Sequence, residues 1–500
     1  MQNRKPKESP SRGFKIQRHS FLSSTDCRLI HEGSCRLLEE VGVEVRHAGA
    51  VRLFEKAGAK SQKGRIFIPQ EMAEQCLKQT AKKMLLKAAD SRNDLMIEAE
   101  KPKAYFGTGG QALYVLNYNE GVFEKKPAAT QDLIDIVRVC EKLENVDFIT
   151  RPVEPDVPEE DMDLTKTRIF LENTSKHINL ANLIREEKLP EIIRMVQNKE
   201  LISFIVCVLV SPLSMAESTT EKFIRIVQDD IPVAVSSCPQ AGTTAPLSEL
   251  GELIQVNAEV LSAVVLANLV RSGAKILYRG IPITSNLRLD VSPRWCQPDS
   301  IRRIALVSDM THFYGIPCCG TAAVSDEKEP NPQAIAEKTL SWIFETASGA
   351  QFINSALGML EQVLTVCLEQ YIIDNMVITR IKQLFLKSPD NNLKKMAQTG
   401  VEEALSMFGV RMDSEMMEEV TSRINFIFSR QEEYTADHVQ AQVDLIKKAL
   451  SSGKSSSVFL KTSRSGLRRG WLFSGKRLEG KLNMEDVQNS KRDILDSFKQ

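Results

Sequence analysis

Four short segments combine small residues with groups able to bind or react. They are Ser236-Ser-Cys-Pro-Gln-Ala-Gly-Thr-Thr-Ala-Pro246, Tyr278-Arg-Gly-Ile-Pro282, Gly320-Thr-Ala-Ala-Val-Ser-Asp-Glu-Lys328 and Asn354-Ser-Ala-Leu-Gly358. Small side chains let a ligand approach the backbone, although glycine and proline that merely turn the chain would make any one such segment. In the third, Asp326 and Lys328 stand together, as working groups or as a solvated salt bridge. Glu259, in Gln255-Val-Asn-Ala-Glu-Val-Leu261, interrupts the most apolar helical stretch of the chain. A buried carboxylate needs a partner or takes a proton, so Glu259 marks either a structural ion pair or a working group. Glu369 and Asp374, on a later helix, fit a structural role. Aromatic residues are only 6% of the chain, so the grouping of Tyr105, Phe106, Tyr114, Tyr278, Trp295, Phe313 and Tyr314 near presumed strand ends carries information. Two or three ring faces bind a quaternary ammonium well; the same rings also serve as ordinary core. The six histidines show no zinc-ligand spacing, and no Gly-x-Ser-x-Gly elbow supports a Ser-His-Asp hydrolase. Cys318 and Cys319 are adjacent, which in a strand turns them to opposite faces, away from a shared metal. No bound metal is expected; a zinc centre built from Cys238 and Cys318 is the disfavoured alternative.

Elements that could position these groups alternate along the middle of the chain. Strands are expected at Ala104–Gly107 with Ala112–Asn117 as a hairpin, then at Phe148–Val153, His177–Leu183, Ile202–Ser211, Pro232–Ser236, Lys275–Tyr278, Ile316–Thr321 and Gln351–Asn354. Several are continuously apolar, as parallel strands buried on both faces are. Helices fall between them. About eight strand–helix repeats over roughly 250 residues predict an α/β fold of the (β/α)8 TIM-barrel type, whose working groups lie where strands run out into their following loops. A doubly wound sheet shares the local pattern, but Gly107-Thr-Gly-Gly110 is followed by strand residues rather than the helix a phosphate loop requires. The expected organisation is a disordered arm (1–20), an N-terminal helical extension (21–100), the TIM-barrel core (101–355), C-terminal helices packed on the barrel (356–450) and a basic tail (451–500).

Bulk properties exclude other classes. The 500 residues carry 65 Lys plus Arg against 65 Asp plus Glu, so no field of one sign recruits nucleic acid. The one basic cluster, Arg464 to Arg477, is near the C-terminus. The longest apolar run, Ile202 to Val210, is short of the roughly 20 residues that span a bilayer, and Met1 to Lys15 lack the apolar core of a secretory signal. Ten scattered cysteines suit a reducing compartment. A cytoplasmic location without membrane contact is expected, and whether copies associate into a homo-oligomer is left open.

Over roughly residues 22 to 450 the chain resembles the trimethylamine methyltransferase family. The matching stretches are Tyr105-Phe-Gly-Thr-Gly-Gly-Gln-Ala-Leu-Tyr-Val-Leu116, Ser211-Pro-Leu-Ser-Met-Ala216, Ala241-Gly-Thr-Thr-Ala-Pro246, Gln255 to Glu259, Phe313-Tyr-Gly-Ile-Pro317, Ser325-Asp-Glu-Lys328 and Glu369-Gln-Tyr-Ile-Ile-Asp374. The resemblance implies a TIM barrel that moves a methyl group from a methylated amine to the cobalt of a separate corrinoid protein docked over the barrel mouth. The corrinoid would come with that partner, and no cofactor would be tightly bound. Family members that contain pyrrolysine carry it near the stretch matching Gln333 to Glu337. Only ordinary residues stand there in this chain, which places it in the non-pyrrolysine branch associated with betaines and other quaternary amines. A quaternary nitrogen leaves as a neutral tertiary amine without help from an acid, so positioning suffices.

On that reading Tyr105, Tyr278 and Phe313 supply an aromatic cage, and Arg279 or Lys328 holds a substrate carboxylate by a charge-assisted hydrogen bond. Glu259 and Asp326 orient the loops or the ammonium, and Thr108 and Asn354 complete the substrate-binding set. Many relatives have histidine in the stretch matching Ile353-Asn-Ser-Ala, where this chain has Asn354. That departure leaves a second expectation, a catalytically silent barrel that binds a betaine or a corrinoid protein.

Overall fold

The computed structural model describes residues 12–101, 103–288, 290–387, 392–429, 434–453, 457–461 and 475–498. Residues 1–11 of the expected arm, and Arg464 with most of the basic cluster, lie outside the described residues.

The fold is mixed α/β. Seven short strands matter for the site: β1 (Lys103–Phe106), β2 (Phe148–Thr150), β3 (His177–Asn179), β4 (Ile202–Val206), β5 (Val233–Ser237), β6 (Ile276–Gly280) and β7 (Phe352–Ile353). Strands β2 to β6 form a five-stranded parallel sheet in chain order. Every residue in them is buried, which is why the sequence reads there as apolar runs rather than alternation. Parallel pairing continues beyond the sheet. Tyr278 of β6 pairs with Cys318, Thr321 pairs with Asn354, and Gly107 after β1 pairs with Phe148 of β2. β7 in turn lies parallel to β1.

Helices α1 (Thr130–Lys142), α2 (Glu159–Asn173), α3 (Leu189–Val196), α4 (Glu217–Gln228), α5 (Glu249–Val270), α6 (Pro298–Tyr314), α7 (Pro332–Ser348) and α8 (Leu368–Lys387) follow the strand runs in turn. α5 starts at Ser248, whose hydroxyl accepts the Gly251 N–H at 3.2 Å, and carries apolar residues on every side, with Glu252, Gln255, Asn257 and Glu259 buried among them. Such a helix must be enclosed. It packs against helix Ser24–Glu40, helix Gln70–Gln79 and helix Ala436–Ser451. Among the described residues it alone is long and apolar enough to cross a bilayer, yet 89% of that window is buried inside the fold. Its polar start is tied to α6 by two ion pairs, Glu249–Arg302 at 2.7 Å and Glu252–Arg303 at 2.6 Å.

The antiparallel pair Lys83–Leu86 and Leu95–Glu98 packs against the inner face of the parallel strands. Its Met84, Leu86, Leu95 and Ile97 share one cluster with Tyr105, Phe148, Ile205, Ala234, Leu277, Cys319 and Phe352. Phe148 and Phe352 stack with centroids 3.6 Å apart. Burial of each such ring is worth about 1.5–3 kcal/mol, so this layer is a solid floor.

Four expectations are corrected by pairing partners that sequence periodicity cannot see. Ala104–Gly107 and Ala112–Asn117 are not a hairpin: β1 pairs with β7, while Tyr114–Asn119 pairs with Val122–Pro127 and Thr365–Cys367. Ile316–Thr321 contributes bridges at Cys318 and Thr321 rather than a continuous strand. The C-terminal helices expected from residue 356 begin only at Leu368, because Met359–Leu360 and Thr365–Cys367 pair as strands first. Residues 12–20 are fixed rather than free. Phe14–Lys15 pairs with Lys103–Ala104, and the Arg12 side chain donates to Asn93 and Val146.

Candidate functional site

Side chains on a strand alternate faces with a period of two. The residues two places beyond the floor layer therefore share its face, toward the carboxyl ends of the strands. They are Gly107, Thr150, Cys207, Ser236, Arg279, Thr321 and Asn354. An apolar floor thus passes into a polar ring, and it does so where strands run out into loops.

Arg279 dominates the ring. It is only 6% exposed. Its Nη1 donates to Ser236 Oγ at 2.6 Å, its guanidinium meets the Cys319 thiol, and its Nε has no partner among the described residues. Thr321 Oγ1 and Asn354 Oδ1 are also buried without partners, while Asn354 Nδ2 donates to Ser355 Oγ at 3.1 Å. Folded proteins leave few buried polar atoms unsatisfied; here three sit on neighbouring strand ends. Glycine 109 makes the close packing feasible, since a Cβ there would lie 2.7 Å from Ser355 N and 2.9 Å from Asn354 Nδ2.

Glu345 approaches the ring from α7. Its Oε1 accepts the Thr321 N–H at 3.2 Å, and its Oε2 is buried with no partner. A Cβ at Gly320 would collide with Oε1, so glycine admits the carboxyl. Burial pushes its pKa up to about 8, against the Thr321 N–H and the Arg279 charge that favour the anion. Burial likewise pushes the Cys238 and Cys319 thiols up to about 12, so neither is an ionised nucleophile at neutral pH.

The other expected site residues are placed as follows. Glu259 accepts from Ser211 Oγ (2.8 Å), Leu213 N (3.0 Å), Gln255 Nε2 (3.0 Å) and Ser237 Oγ. With four donors it anchors the 211–213 segment to the end of β5, and burial raises its pKa. Asp326 stands in the loop after the 318–321 run, its Oδ1 accepting Trp295 N at 3.0 Å. Lys328 is exposed, on the side of Glu361. Thr108 is a latch between strands: its hydroxyl donates to Thr150 O at 2.5 Å and accepts Thr150 N at 2.9 Å.

The three expected cage aromatics are not brought together. Tyr105 is held at the floor, its hydroxyl bonded to Met96 O at 2.9 Å and Met96 N at 3.2 Å. Tyr278 turns to the helix layer, donating to Asn257 Oδ1 of α5 at 2.5 Å. Phe313 is 42% exposed on α6 beside His31 and Tyr314. Strand parity explains Tyr278 and Arg279: adjacent residues cannot both face inward. Cys318 also faces outward, against Ser308 of α6, and no group of three metal-binding side chains occurs among the described residues. Sequence reasoning missed Ser236, Thr321 and Glu345. The first two lie in segments singled out for their glycines, and the signal for Glu345 was a lone acid in Trp342-Ile-Phe-Glu345.

A parallel sheet with a polar, incompletely satisfied ring at its carboxyl ends defines a small-molecule enzyme of the α/β class. Comparison with known proteins makes this specific. The family model described as trimethylamine methyltransferase matches residues 2–409, and the chain belongs to that family; it is a methyltransferase. It is 28% identical over 378 residues to a trimethylamine methyltransferase of Methanosarcina barkeri, covering 73% of this chain and 76% of that one. It is 26% identical over 388 residues to a trimethylamine methyltransferase of Desulfitobacterium hafniense, covering 72% and 74%. It is 23% identical over 374 residues to a glycine betaine methyltransferase of Desulfitobacterium hafniense, covering 73% and 77%.

Proposed function

We propose that the chain demethylates a quaternary amine carrying a carboxylate, a betaine, on a closed (β/α)8 barrel in the cytoplasm. The parallel pairings that lead from β1 through β6 and the 318–321 run back to β7 support the barrel. The methyl acceptor is a corrinoid brought by a separate protein over the strand ends. When docked, such a corrinoid supplies a reduced cobalt nucleophile for the methyl group. The Cys238 and Cys319 thiols, kept protonated by burial, fit this division, since neither serves as an ionised nucleophile.

The observation that carries the substrate class is Arg279. A buried guanidinium whose partners, the Ser236 hydroxyl and the Cys319 thiol, are both neutral and whose Nε has no partner among the described residues is costly unless an anion completes it. A betaine carboxylate supplies that anion; trimethylamine has none. Seated on Arg279, the substrate is fixed at one end above the apolar floor, so its ammonium methyl can point out of the mouth. Excluding water and holding the methyl in line are the chain's contributions, and the departing amine leaves neutral.

Calorimetry with glycine betaine, proline betaine, carnitine and butyrobetaine, against trimethylamine, tests the reading. At least one betaine binds and trimethylamine does not. Arg279→Ala weakens the betaine about 10- to 150-fold, as expected for a hydrogen bond to a charged group. Binding of trimethylamine in preference to every betaine refutes it.

A further inference from the structure

With Tyr105, Tyr278 and Phe313 dispersed, the polar ring around Arg279 carries no aromatic side chain of its own among the described residues to seat the cationic end of a betaine. A second cluster does, one strand over. Tyr278 of β6 pairs with Cys318, so the loops leaving these two runs are neighbours, and they bring Trp295, Asp326 and Glu337 together. Trp295 N donates to Asp326 Oδ1 at 3.0 Å. Asp326 N donates to Glu337 Oε2 at 3.2 Å, and Ser325 Oγ donates to the same oxygen at 2.7 Å. Gln333 Nε2 donates to Glu337 Oε1 at 2.7 Å and is held in turn, since its own oxygen accepts Leu478 N at 3.0 Å.

Every one of these donors is neutral. The nearest cations make their ion pairs with other acids: Arg294 with Asp290 at 3.8 Å, Lys338 with Asp374 at 3.0 Å, Arg423 with Glu419 at 2.7 Å, and Arg477 with Glu327. The Arg294 charge still favours the Asp326 anion, and the Arg423 charge the Glu337 anion, from farther off. The Cys296 thiol, beside the pair, is raised by burial and stays neutral. Two buried carboxyls therefore meet beside an indole with no direct ion pair to either among the described residues, more distant arginine charges notwithstanding. Asp326 Oδ2 and Trp295 Nε1 are buried and have no partner among the described residues. Gln297, which also hydrogen-bonds Asp326, lines with Arg294 and Ser285 a cavity of about 210 Å³. A quaternary ammonium donates no hydrogen bond. It is matched by anionic oxygen and an aromatic surface rather than by N–H acceptor geometry, and Trp is the strongest such surface.

Resting on the betaine reading above, the geometry points to Asp326, Glu337 and Trp295 as the seat of the substrate's quaternary ammonium, with Arg279 holding its carboxylate. Burial and the neighbouring carboxyl push Asp326 up to about 8, and burial raises Glu337, so the empty seat holds a proton at pH 7. Seating the cation favours the carboxylate, and the proton leaves to solvent: protonated pair plus ammonium gives carboxylate–ammonium pair plus H⁺. Affinity accordingly rises with pH and levels off above about 8.

The test is calorimetry of the full chain with glycine betaine at pH 7 in two buffers of different ionisation enthalpy. The expected result is release of close to one proton per betaine. The neutral isostere 3,3-dimethylbutanoate, which keeps the carboxylate alone, releases none. Asp326→Asn abolishes the release and weakens betaine at least tenfold, whereas Arg279→Lys weakens binding but keeps the release. Should Asp326→Asn fail to fold, Trp295→Leu weakens betaine about tenfold and Trp295→Phe restores most of it. Betaine binding without proton release, unaltered by Asp326→Asn or Trp295→Leu, overturns the seat and leaves the betaine reading standing. Absence of binding by any betaine overturns both.

Discussion

Tyr278 and Arg279 are consecutive residues with opposite duties, and the difference is one of strand parity. Arg279 faces inward with an incomplete set of partners; Tyr278 faces the helices, fully engaged with Asn257. Tyr278→Phe is therefore expected to leave betaine affinity within about twofold. It costs about 1–3 kcal/mol of stability because Asn257 Oδ1 loses its donor, which thermal melting of the pair of proteins measures. A large loss of betaine affinity in Tyr278→Phe would return that ring to the site. Residue types at the site were legible in part. Arg279, Asp326 and Asn354 stood out because charged or amide groups followed apolar runs. Facing was not legible for Tyr278, since a strand buried on both sides has no alternation to reveal it. Tyr105 was obscured differently: its partner is the backbone of Met96 in the antiparallel pair just upstream, a contact that periodicity does not reveal.

At the scale of elements, buried ion pairs tie the helices into register around the strand ends. Lys338 of α7 donates to Asp374 of α8 at 3.0 Å and to Ala323 O at 2.7 Å. Asp374 also accepts Gly358 N at 2.7 Å, which fixes the turn after Asn354. Lys338→Met leaves Asp374 buried without its cation and is expected to cost about 3–5 kcal/mol. A lowered urea midpoint reads this loss. Adding Asp374→Asn recovers much of it, because the uncompensated charge is then gone; no recovery would mean the lysine acts through packing instead. The elements themselves were largely legible: α1 to α7 and the apolar strands appear close to the positions their periodicity predicts. What failed was partnership. The 112–117 run was assigned to its sequence neighbour, whereas its pairing with Thr365–Cys367 spans some 250 residues of intervening chain. The late start of the C-terminal helices, at Leu368 rather than 356, has the same cause.

Across the whole molecule, buried titratable groups set how stability follows pH. Glu345 and Asp326 have folded values raised to about 8, so their stabilising contribution is present in acid and lost as pH rises through 8. His177 and His312 are lowered to about 4 by burial, so theirs is present above about 6.5 and lost as pH falls toward 4. Between pH 6.5 and 8 the raised carboxyls, Glu252 at about 8 among them, lose their contribution, whereas Lys166 and Lys176, lowered to about 8 by burial, add stability mainly above that window, so the melting temperature is expected to fall. Glu345→Gln flattens that fall; an unchanged slope in the variant would show the carboxyl already ionised in the folded chain. The equal counts of acidic and basic residues in the sequence give no hint of this, since it arises from where the groups are buried.

Methyl transfer itself tests the account most directly. The full chain is incubated with a reduced corrinoid protein and the betaine panel, and the demethylated tertiary amine is followed by mass spectrometry alongside the corrinoid's visible spectrum. The account predicts a demethylated product from at least one betaine, with none from trimethylamine and a sharp loss in Arg279→Ala. Tight betaine binding with no demethylated product from any member, with any corrinoid protein supplied, would contradict it.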